Sequence, residues 1–162
     1  MMHSNPASTA KIFGHPIHPM LIPFPIAFFV ATFAADLVYL ANGETGWAGA
    51  AMWLLGAGLV MAALAALAGL TDFLGDRRVR AIRAAWLHMI GNVIAVVLEL
   101  VNFYLRYTQG AAEAVAPAGV LLSGIVVLLL LFTGWKGWEL VYRHRVAVSD
   151  ADETDLAQTR SL

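Results

Sequence analysis

Residues 14–28 have the sequence GHPIHPMLIPFPIAF, in which two His-Pro dipeptides stand at the entrance of a long apolar segment. A residue before proline is biased away from the α region, so His15 and His18 are predicted to lie in extended backbone rather than on a helix. In a polyproline-like segment, positions three apart point in the same direction, which would let both imidazoles face one point. A helix is expected only from Pro23 or Pro25 onward, because proline is tolerated in a first turn.

The composition indicates an integral membrane protein, because 60% of the 162 residues are apolar and only 13% are charged. Four apolar runs are long enough to cross a hydrocarbon layer of about 30 Å. The sequence therefore predicts an all-α, four-helix membrane bundle with its amino and carboxyl termini on the same side. A polar tail over 1–12 precedes the membrane domain, which covers 13–145, and a disordered acidic tail over 146–162 follows it. The predicted spans are about 20–41, 47–70, 84–107 and 117–141.

Basic residues are distributed unevenly between the two ends of the predicted bundle. One end has Arg106 alone near its helix ends. The other end has Lys11, Arg77, Arg78, Arg80, Arg83, Lys136, Arg143 and Arg145. The positive-inside rule places that basic end, with both termini, in the cytoplasm. The arginine-rich loop then serves to anchor the chain against anionic lipid. Asp36, near the opposite end, could cap the neighbouring turn, and we interpret it as a structural residue.

Several functional classes lack support in the sequence. The chain has no cysteine, which excludes disulfides, thiolate metal sites and covalent c-type haem attachment. No basic patch lies outside the membrane flanks, so nucleic acid is not expected as a partner. Nucleophile motifs and phosphate-binding glycine loops are also missing. These features favour an electron carrier or a binding protein over a hydrolase or transferase.

Four ionisable residues converge on the basic end of the predicted bundle. They come from three segments and are His15, His18, Asp72 and His88. Ionisable residues inside membrane spans are costly and tend to face the bundle interior or an aqueous cavity. We therefore interpret this group as a ligand-binding or proton-handling site. The alternative for His88 is an interfacial histidine that water or a backbone carbonyl satisfies, and Asp72 could equally belong to a simple turn.

A polar stripe runs along the third predicted span. At 100° per residue, Asn92, Glu99 and Asn102 fall within about 40° of His88. Such a stripe must face protein, and Glu99 near the middle of the span must be neutral, paired or hydrated. The alternative to a functional role is hydrogen bonding between helices that holds the bundle together.

Several local motifs together resemble a bacterial family of four-span membrane proteins catalogued as domain of unknown function 2231. They are His-Pro-Ile-His-Pro at 15–19, Phe24-Pro25-Ile26, Asp36, Gly69-Leu70-Thr71-Asp72 and His88. The resemblance covers most of residues 13–142 and implies a multi-pass protein of the bacterial inner membrane. It implies a membrane electron-transfer setting, because family members occur beside or fused to cytochrome c or Rieske-type redox domains. The architecture is also similar to small b-type cytochromes, in which histidines on facing helices hold the haem iron.

The function that we predict from these patterns is electron transfer by non-covalent haem b. His88 would be one axial ligand and His18 or His15 the other, while Arg78 and Arg80 would bind the propionates. A quinone or a soluble redox protein would exchange electrons with the haem. One alternative is a non-haem site for zinc, copper or iron formed by the three histidines and Asp72. Another is a cofactor-free accessory protein that binds a partner subunit or forms a homo-oligomer.

Overall fold

The computed structural model describes residues 5–148, and its main elements are four long helices. A short hairpin and a one-turn helix precede them, and a second short helix joins two of them. In chain order the elements are β1 (Lys11–Ile12), β2 (His15–Pro16), α1 (Ile17–Leu21), α2 (Pro23–Asn42), α3 (Thr45–Gly75), α4 (Arg77–Arg80), α5 (Arg83–Gln109), a π-helical segment (Val115–Gly119) and α6 (Val120–Tyr142).

Within the described part of the chain, four helical segments are long and apolar enough to cross a membrane. They are Ile17–Asn42, Thr45–Gly75, Arg83–Gln109 and Val115–Tyr142. About a quarter of each apolar stretch is buried inside the protein, and large apolar side chains cover the outer faces. This arrangement confirms the predicted all-α, multi-pass membrane fold. Each span extends a few residues beyond its predicted bounds, because helices continue past the hydrocarbon layer into the interfaces.

The four long helices enclose a thin apolar core. Contacts join α2 to α3, α3 to α5, α5 to α6 and α6 back to α2, so each helix packs against two others. Every helix contributes to a layer near the middle of the bundle, which we call the apolar layer; its buried residues are Phe29, Leu55, Ala62, Ala95 and Val126. Small residues allow close approach, and a Cβ at Gly58 would lie only 2.6 Å from Phe29 Cε1.

The two described chain ends lie together at one end of the bundle. The backbone N–H of Ala147 donates a hydrogen bond to Pro6 O at 2.9 Å, and Asn5 Nδ2 donates to Val148 O at 3.2 Å. Of the predicted amino-terminal tail over 1–12, the structure describes residues 5–12. Only residues 146–148 of the predicted acidic tail are described, so the prediction of disorder for the rest lies outside the described residues.

The segment that carries the two His-Pro dipeptides differs from its predicted conformation. His15 lies in β2, after a two-residue hairpin loop in which Phe13 and Gly14 both have positive φ angles, 48° and 83°. His18, however, belongs to α1, so the prediction that it lies in extended backbone is wrong. Pro19 fits there because N–H groups in a first helical turn have no intrahelical partner, and the loss of one costs nothing.

The opposite end of the bundle is closed by short turns. Gly43 ends α2 with a φ of 74°, a left-handed conformation that glycine adopts without steric cost. The segment before α6 is interrupted at Ala116, whose extended backbone (φ −109°, ψ 131°) agrees with the restriction that Pro117 imposes on it. The two connections at this end, 43–44 and 110–114, contain neither lysine nor arginine.

Candidate functional site

His18 is held against α3 by a backbone contact. Its Nδ1 lies 2.8 Å from Ala65 O. Because a carbonyl oxygen can only accept, Nδ1 carries the proton of this hydrogen bond, and in the neutral ring Nε2 retains its lone pair. The ring also lies against Gly69, where a Cβ would be 2.8 Å from Nδ1. Glycine at this position thus permits the ring to approach the helix.

His88 is held in the same way on the other side of the bundle. Its Nδ1 lies 2.8 Å from Thr133 O on α6, so here too Nδ1 donates and Nε2 keeps its lone pair. The Thr133 hydroxyl donates to Asn92 Oδ1 at 3.2 Å, and Asn92 Nδ2 donates to His88 O at 2.8 Å. Gly137 leaves room for the ring, because a Cβ there would be 3.2 Å from His88 Cε1.

These two rings form a pair across the bundle. Their centroids are 6.1 Å apart and their planes are nearly perpendicular, at 86°. Two imidazoles that bind one metal ion through Nε2, with bonds of about 2.0–2.1 Å, have centroids roughly 6 Å apart. A ring fixed by a hydrogen bond from Nδ1–H to a carbonyl is also the usual arrangement of a metal-binding histidine. We call His18 and His88 the histidine pair.

The other predicted ligands do not join the histidine pair. His15 is exposed on β2. Asp72, near the end of α3, instead receives the amino-terminal segment: its Oδ1 accepts from Ser8 Oγ at 2.9 Å and from the backbone N–H groups of Thr9 and Ala10 at 2.6 and 2.8 Å. Across residues 5–148, no group of three or more His, Cys, Asp and Glu side chains is arranged to hold a metal ion. The predicted set of three histidines and Asp72 is therefore not assembled.

The two arginines predicted to bind propionates have protein partners in the loop between α3 and α5. Arg78 forms a salt bridge with Asp76, with Nη2 and Oδ2 2.8 Å apart, and Arg80 Nη1 donates to Leu74 O at 2.8 Å. The hydrogen bonds from Arg78, chiefly from its side chain, lower the pKa of the Asp76 carboxyl to about 2. Asp76 also caps α4 by accepting from the backbone N–H of Arg78. These contacts hold both arginine side chains against their own loop. Binding of haem propionates by Arg78 and Arg80 stays a prediction.

The predicted polar stripe of α5 faces the bundle interior, as expected. Glu99 and Asn102 are completely buried, and Asn92 is partly buried. Asn102 Nδ2 donates to Glu99 Oε2 and to Ser123 Oγ, both at 2.9 Å, and lies 3.4 Å from Gly119 O. The stripe thus binds α5 to α6 near the end of the bundle that lies opposite the histidine pair.

Two charged residues that we had interpreted as peripheral complete this network. Arg106 Nη2 lies 2.7 Å from Asp36 Oδ2 in an ion pair with both side chains fully buried. Ser123 Oγ also donates to Asp36 Oδ2, at 3.1 Å, and Arg106 Nε donates to Asn102 Oδ1 at 3.0 Å. Asp36 therefore does not cap the neighbouring turn; its structural role is that of an ion-pair partner. Arg106, which we counted among the basic residues near the helix ends, is instead buried in the bundle. We call Asp36, Glu99, Asn102, Arg106 and Ser123 the polar cluster.

A signal for Arg106 was present in the sequence. It follows Asn102 by four residues and Glu99 by seven, so it continues the helix face on which the stripe lies. Its partner Asp36 could not be assigned, because the pair depends on which face of α2 meets α5. The apolar layer separates the polar cluster from the histidine pair. His88 and Glu99 are eleven residues apart on one helix, which corresponds to roughly 16 Å along its axis.

Comparison with known proteins places most of the chain in one family. The family described as "Predicted membrane protein (DUF2231)" matches residues 14–150, which includes both His-Pro dipeptides and all four spans. No curated protein and no solved structure matches the chain significantly.

Proposed function

This chain belongs to the DUF2231 family of predicted membrane proteins, and we propose that it carries electrons through a haem b with His18 and His88 as axial ligands. The observation that supports this proposal is the geometry of the histidine pair. The two ring centroids are 6.1 Å apart, and each Nδ1 is already bound to a backbone carbonyl. Both Nε2 lone pairs then remain for a metal.

The ligand count favours haem over a bare metal ion. A zinc site needs about four protein or solvent ligands, and the described residues around the histidine pair supply no third His, Cys, Asp or Glu. A haem would bring its own nitrogen ligands for the iron, so His18 and His88 would be the two protein ligands that hold it. The proposed non-haem site for zinc, copper or iron would have to recruit ligands from a partner or from solvent.

In this proposal the protein's own residues fix the two histidine rings and shield the site. A bound haem b supplies a one-electron iron couple. Ala65 O and Thr133 O fix the two rings and increase the basicity of Nε2 through the hydrogen bonds from Nδ1–H. Gly69 and Gly137 leave space for those rings against α3 and α6. The apolar layer keeps water away from one side of the site.

Substitution of each histidine tests the proposal. We expect purified wild-type protein to contain haem and show a b-type absorbance spectrum. His18→Ala and His88→Ala should each lose haem or change its spectrum from low-spin to high-spin. His15→Ala is the matched control, because His15 has the same His-Pro context but lies exposed on β2. Loss of haem in the His15 variant with retention in the His18 variant would overturn the assignment.

We place the histidine pair near the cytoplasmic face. With Arg106 buried in the bundle, the basic residues of the described loops lie at the end that holds both described chain ends, in agreement with the positive-inside rule. The chain has no native cysteine, so single variants can report the topology. In intact bacterial cells, a membrane-impermeant maleimide should label Glu44→Cys and spare His144→Cys. The reverse pattern would invert the orientation.

A quinone is the electron partner that we propose. A groove of about 620 Å³ lies beside the entry segment; its lining is largely apolar and consists of His15, Pro16, Pro19, Met20, Val141, Val146, Ala147 and Val148. Met20 and Pro19 follow His18 directly in the chain. Met20→Trp should fill the groove and slow reduction of the haem by a short-chain quinol, whereas Val60→Trp, at a similarly exposed site on α3, should not. Equal rates in both variants would contradict this partner.

A further inference from the structure

We infer that the polar cluster is a binding site for a single proton, which is carried by Glu99. This site is independent of the histidine pair, because the apolar layer lies between them. The inference rests on the charges in the cluster, on the unequal surroundings of its two carboxyl groups and on three buried atoms without partners.

The charges in the polar cluster do not balance when every group is ionised. Asp36 and Glu99 would contribute two negative charges and Arg106 one positive charge. All three residues are at most 1% exposed, in a part of the bundle that lies within the membrane spans. An uncompensated charge in such a place is costly. One bound proton makes the cluster neutral.

The hydrogen bonds indicate which carboxyl group holds the proton. Asp36 Oδ2 accepts from the guanidinium of Arg106 at 2.7 Å and from Ser123 Oγ at 3.1 Å, so its negative charge is stabilised directly. Glu99 Oε2 accepts only from the neutral amide of Asn102, at 2.9 Å. The carboxylate therefore belongs to Asp36 and the carboxylic acid to Glu99.

Three buried atoms of the cluster have no hydrogen-bond partner among the described residues. They are Asp36 Oδ1, Glu99 Oε1 and Arg106 Nη1. Buried polar groups are nearly always paired, so such atoms point to a bound species. A proton on Glu99 Oε1 turns that atom from an acceptor into a donor, and Asp36 Oδ1 remains as an acceptor. A water molecule between them would connect both with Arg106 Nη1.

A proton fits this cluster better than a metal cation does. Hard cations are bound by about six or more oxygen atoms, whereas the unpartnered buried side-chain oxygens of the described residues are two, Asp36 Oδ1 and Glu99 Oε1. The side-chain oxygen of Asn102, Oδ1, already accepts a hydrogen bond from Arg106 Nε. The guanidinium would also repel a second cation at this distance, whereas it tolerates a neutral carboxylic acid.

Among the described residues, the charged side chains that act on Glu99 are those of Asp36 and Arg106. Asp36 approaches from α2 and Arg106 from α5 itself. From the α6 side, Ser123 and Gly119 O contact Asn102. The α3 helix contains no titratable side chain between Thr45 and Leu70. Because the apolar layer closes the route toward the histidine pair, the proton exchanges with the end of the bundle at which the 110–119 segment lies.

Infrared spectroscopy of the purified protein in lipid nanodiscs at neutral pH tests this inference. The carboxylic-acid C=O stretch reports protonated groups and shifts in D₂O. We expect one such group in wild type and none in Glu99→Gln. Asp36→Asn should also show no protonated carboxyl group. The Glu99 side chain is still present in this variant, but it ionises to balance the charge of Arg106. Arg106→Gln should show two protonated carboxyl groups. Glu113→Gln, an exposed residue at the same end, is the matched control and should leave the band unchanged.

Two infrared results would overturn the inference. Wild-type protein without a carboxylic-acid band would show that both carboxyl groups are ionised, and a stoichiometric bound metal cation would then explain the charge. Persistence of the band in Asp36→Asn would show that the proton does not follow the charge balance. Asp36→Asn and Glu99→Gln preserve side-chain shape, and thermal unfolding of each variant checks that it remains folded. The variants leave the histidine pair unchanged, so the propionic acid groups of a bound haem would cancel in the difference from wild type.

Discussion

Asp36 and Arg106, which are 70 residues apart in the chain, form an ion pair of 2.7 Å in which neither side chain is exposed. The pair joins α2 to α5 at the end of the bundle opposite the histidine pair. Removal of one partner from a buried ion pair leaves the other charge uncompensated, which is far more costly than the net contribution of the pair. The polar cluster is therefore a structural connection between helices as well as a proton site.

We predict that Arg106→Met destabilises the protein by about 3–5 kcal/mol, because Asp36 loses its counter-ion and must then take up a proton in order to stay buried. Reversible unfolding in mixed detergent micelles measures this free energy. Arg143→Met is the control, since Arg143 is 70% exposed and lies 3.8 Å from Glu139; it should change stability by at most about 1 kcal/mol. Equal effects of the two substitutions would contradict the burial argument.

We predict that Gly69→Ala displaces the His18 ring. The added Cβ would lie 2.8 Å from His18 Nδ1, which is too close for the ring to keep its hydrogen bond to Ala65 O. NMR of labelled histidine side chains should show loss or a large shift of the Nδ1–H signal. Gly49→Ala, on the same helix with no atom within 4 Å of the new Cβ, should leave the signal in place. An unchanged spectrum in Gly69→Ala would refute the close packing.

We predict that Asp72→Ala releases the amino-terminal segment from α3. Its Oδ1 accepts from the backbone N–H groups of Thr9 and Ala10, so these amides should exchange hydrogen much faster in the variant. Hydrogen exchange with peptide-level mass spectrometry resolves the segment. Asp72→Asn retains a side-chain carbonyl oxygen and should preserve most of the protection. If both variants exchange like wild type, Asp72 does not hold the segment.

We predict that the Asp76 carboxyl titrates with a pKa of about 2 instead of its ordinary 3.8, because hydrogen bonds from Arg78 stabilise the carboxylate. The pKa is lower in the folded state than in the unfolded state, so the stabilisation is complete above about pH 3.8. It is lost as the pH falls through about 2. Carbon NMR of labelled aspartate follows the titration, and Arg78→Ala should move the midpoint of Asp76 up toward its ordinary value. A midpoint that is the same in both proteins would contradict the role of Arg78.

The four spans could be predicted from the sequence because length and apolarity alone determine which segments can cross a bilayer. The inward orientation of Glu99 and Asn102 could also be predicted, since both follow from helical periodicity. The prediction for His18 was wrong because a following proline disfavours helical backbone without forbidding it. In addition, Pro19 lies in a first helical turn, where proline does not remove a helical hydrogen bond.

Other contacts could not be predicted because they depend on tertiary packing. The bond between Asp72 and the amino-terminal segment joins residues more than sixty positions apart. The pairing of Asp36 with Arg106 likewise requires the rotation of α2 and α5 about their axes to be known. The Phe13-Gly14 hairpin lacks the usual asparagine or aspartate before glycine, so its sequence did not indicate a turn.

An absorbance spectrum of the detergent-purified protein, oxidised and then reduced with dithionite, decides whether His18 and His88 hold a haem, with haem and metal quantified on the same sample. The histidine pair predicts one haem b per protein, with a sharp Soret band and resolved α and β bands on reduction. A colourless, folded protein from cells supplied with haem precursor would contradict the assignment of His18 and His88 as axial ligands.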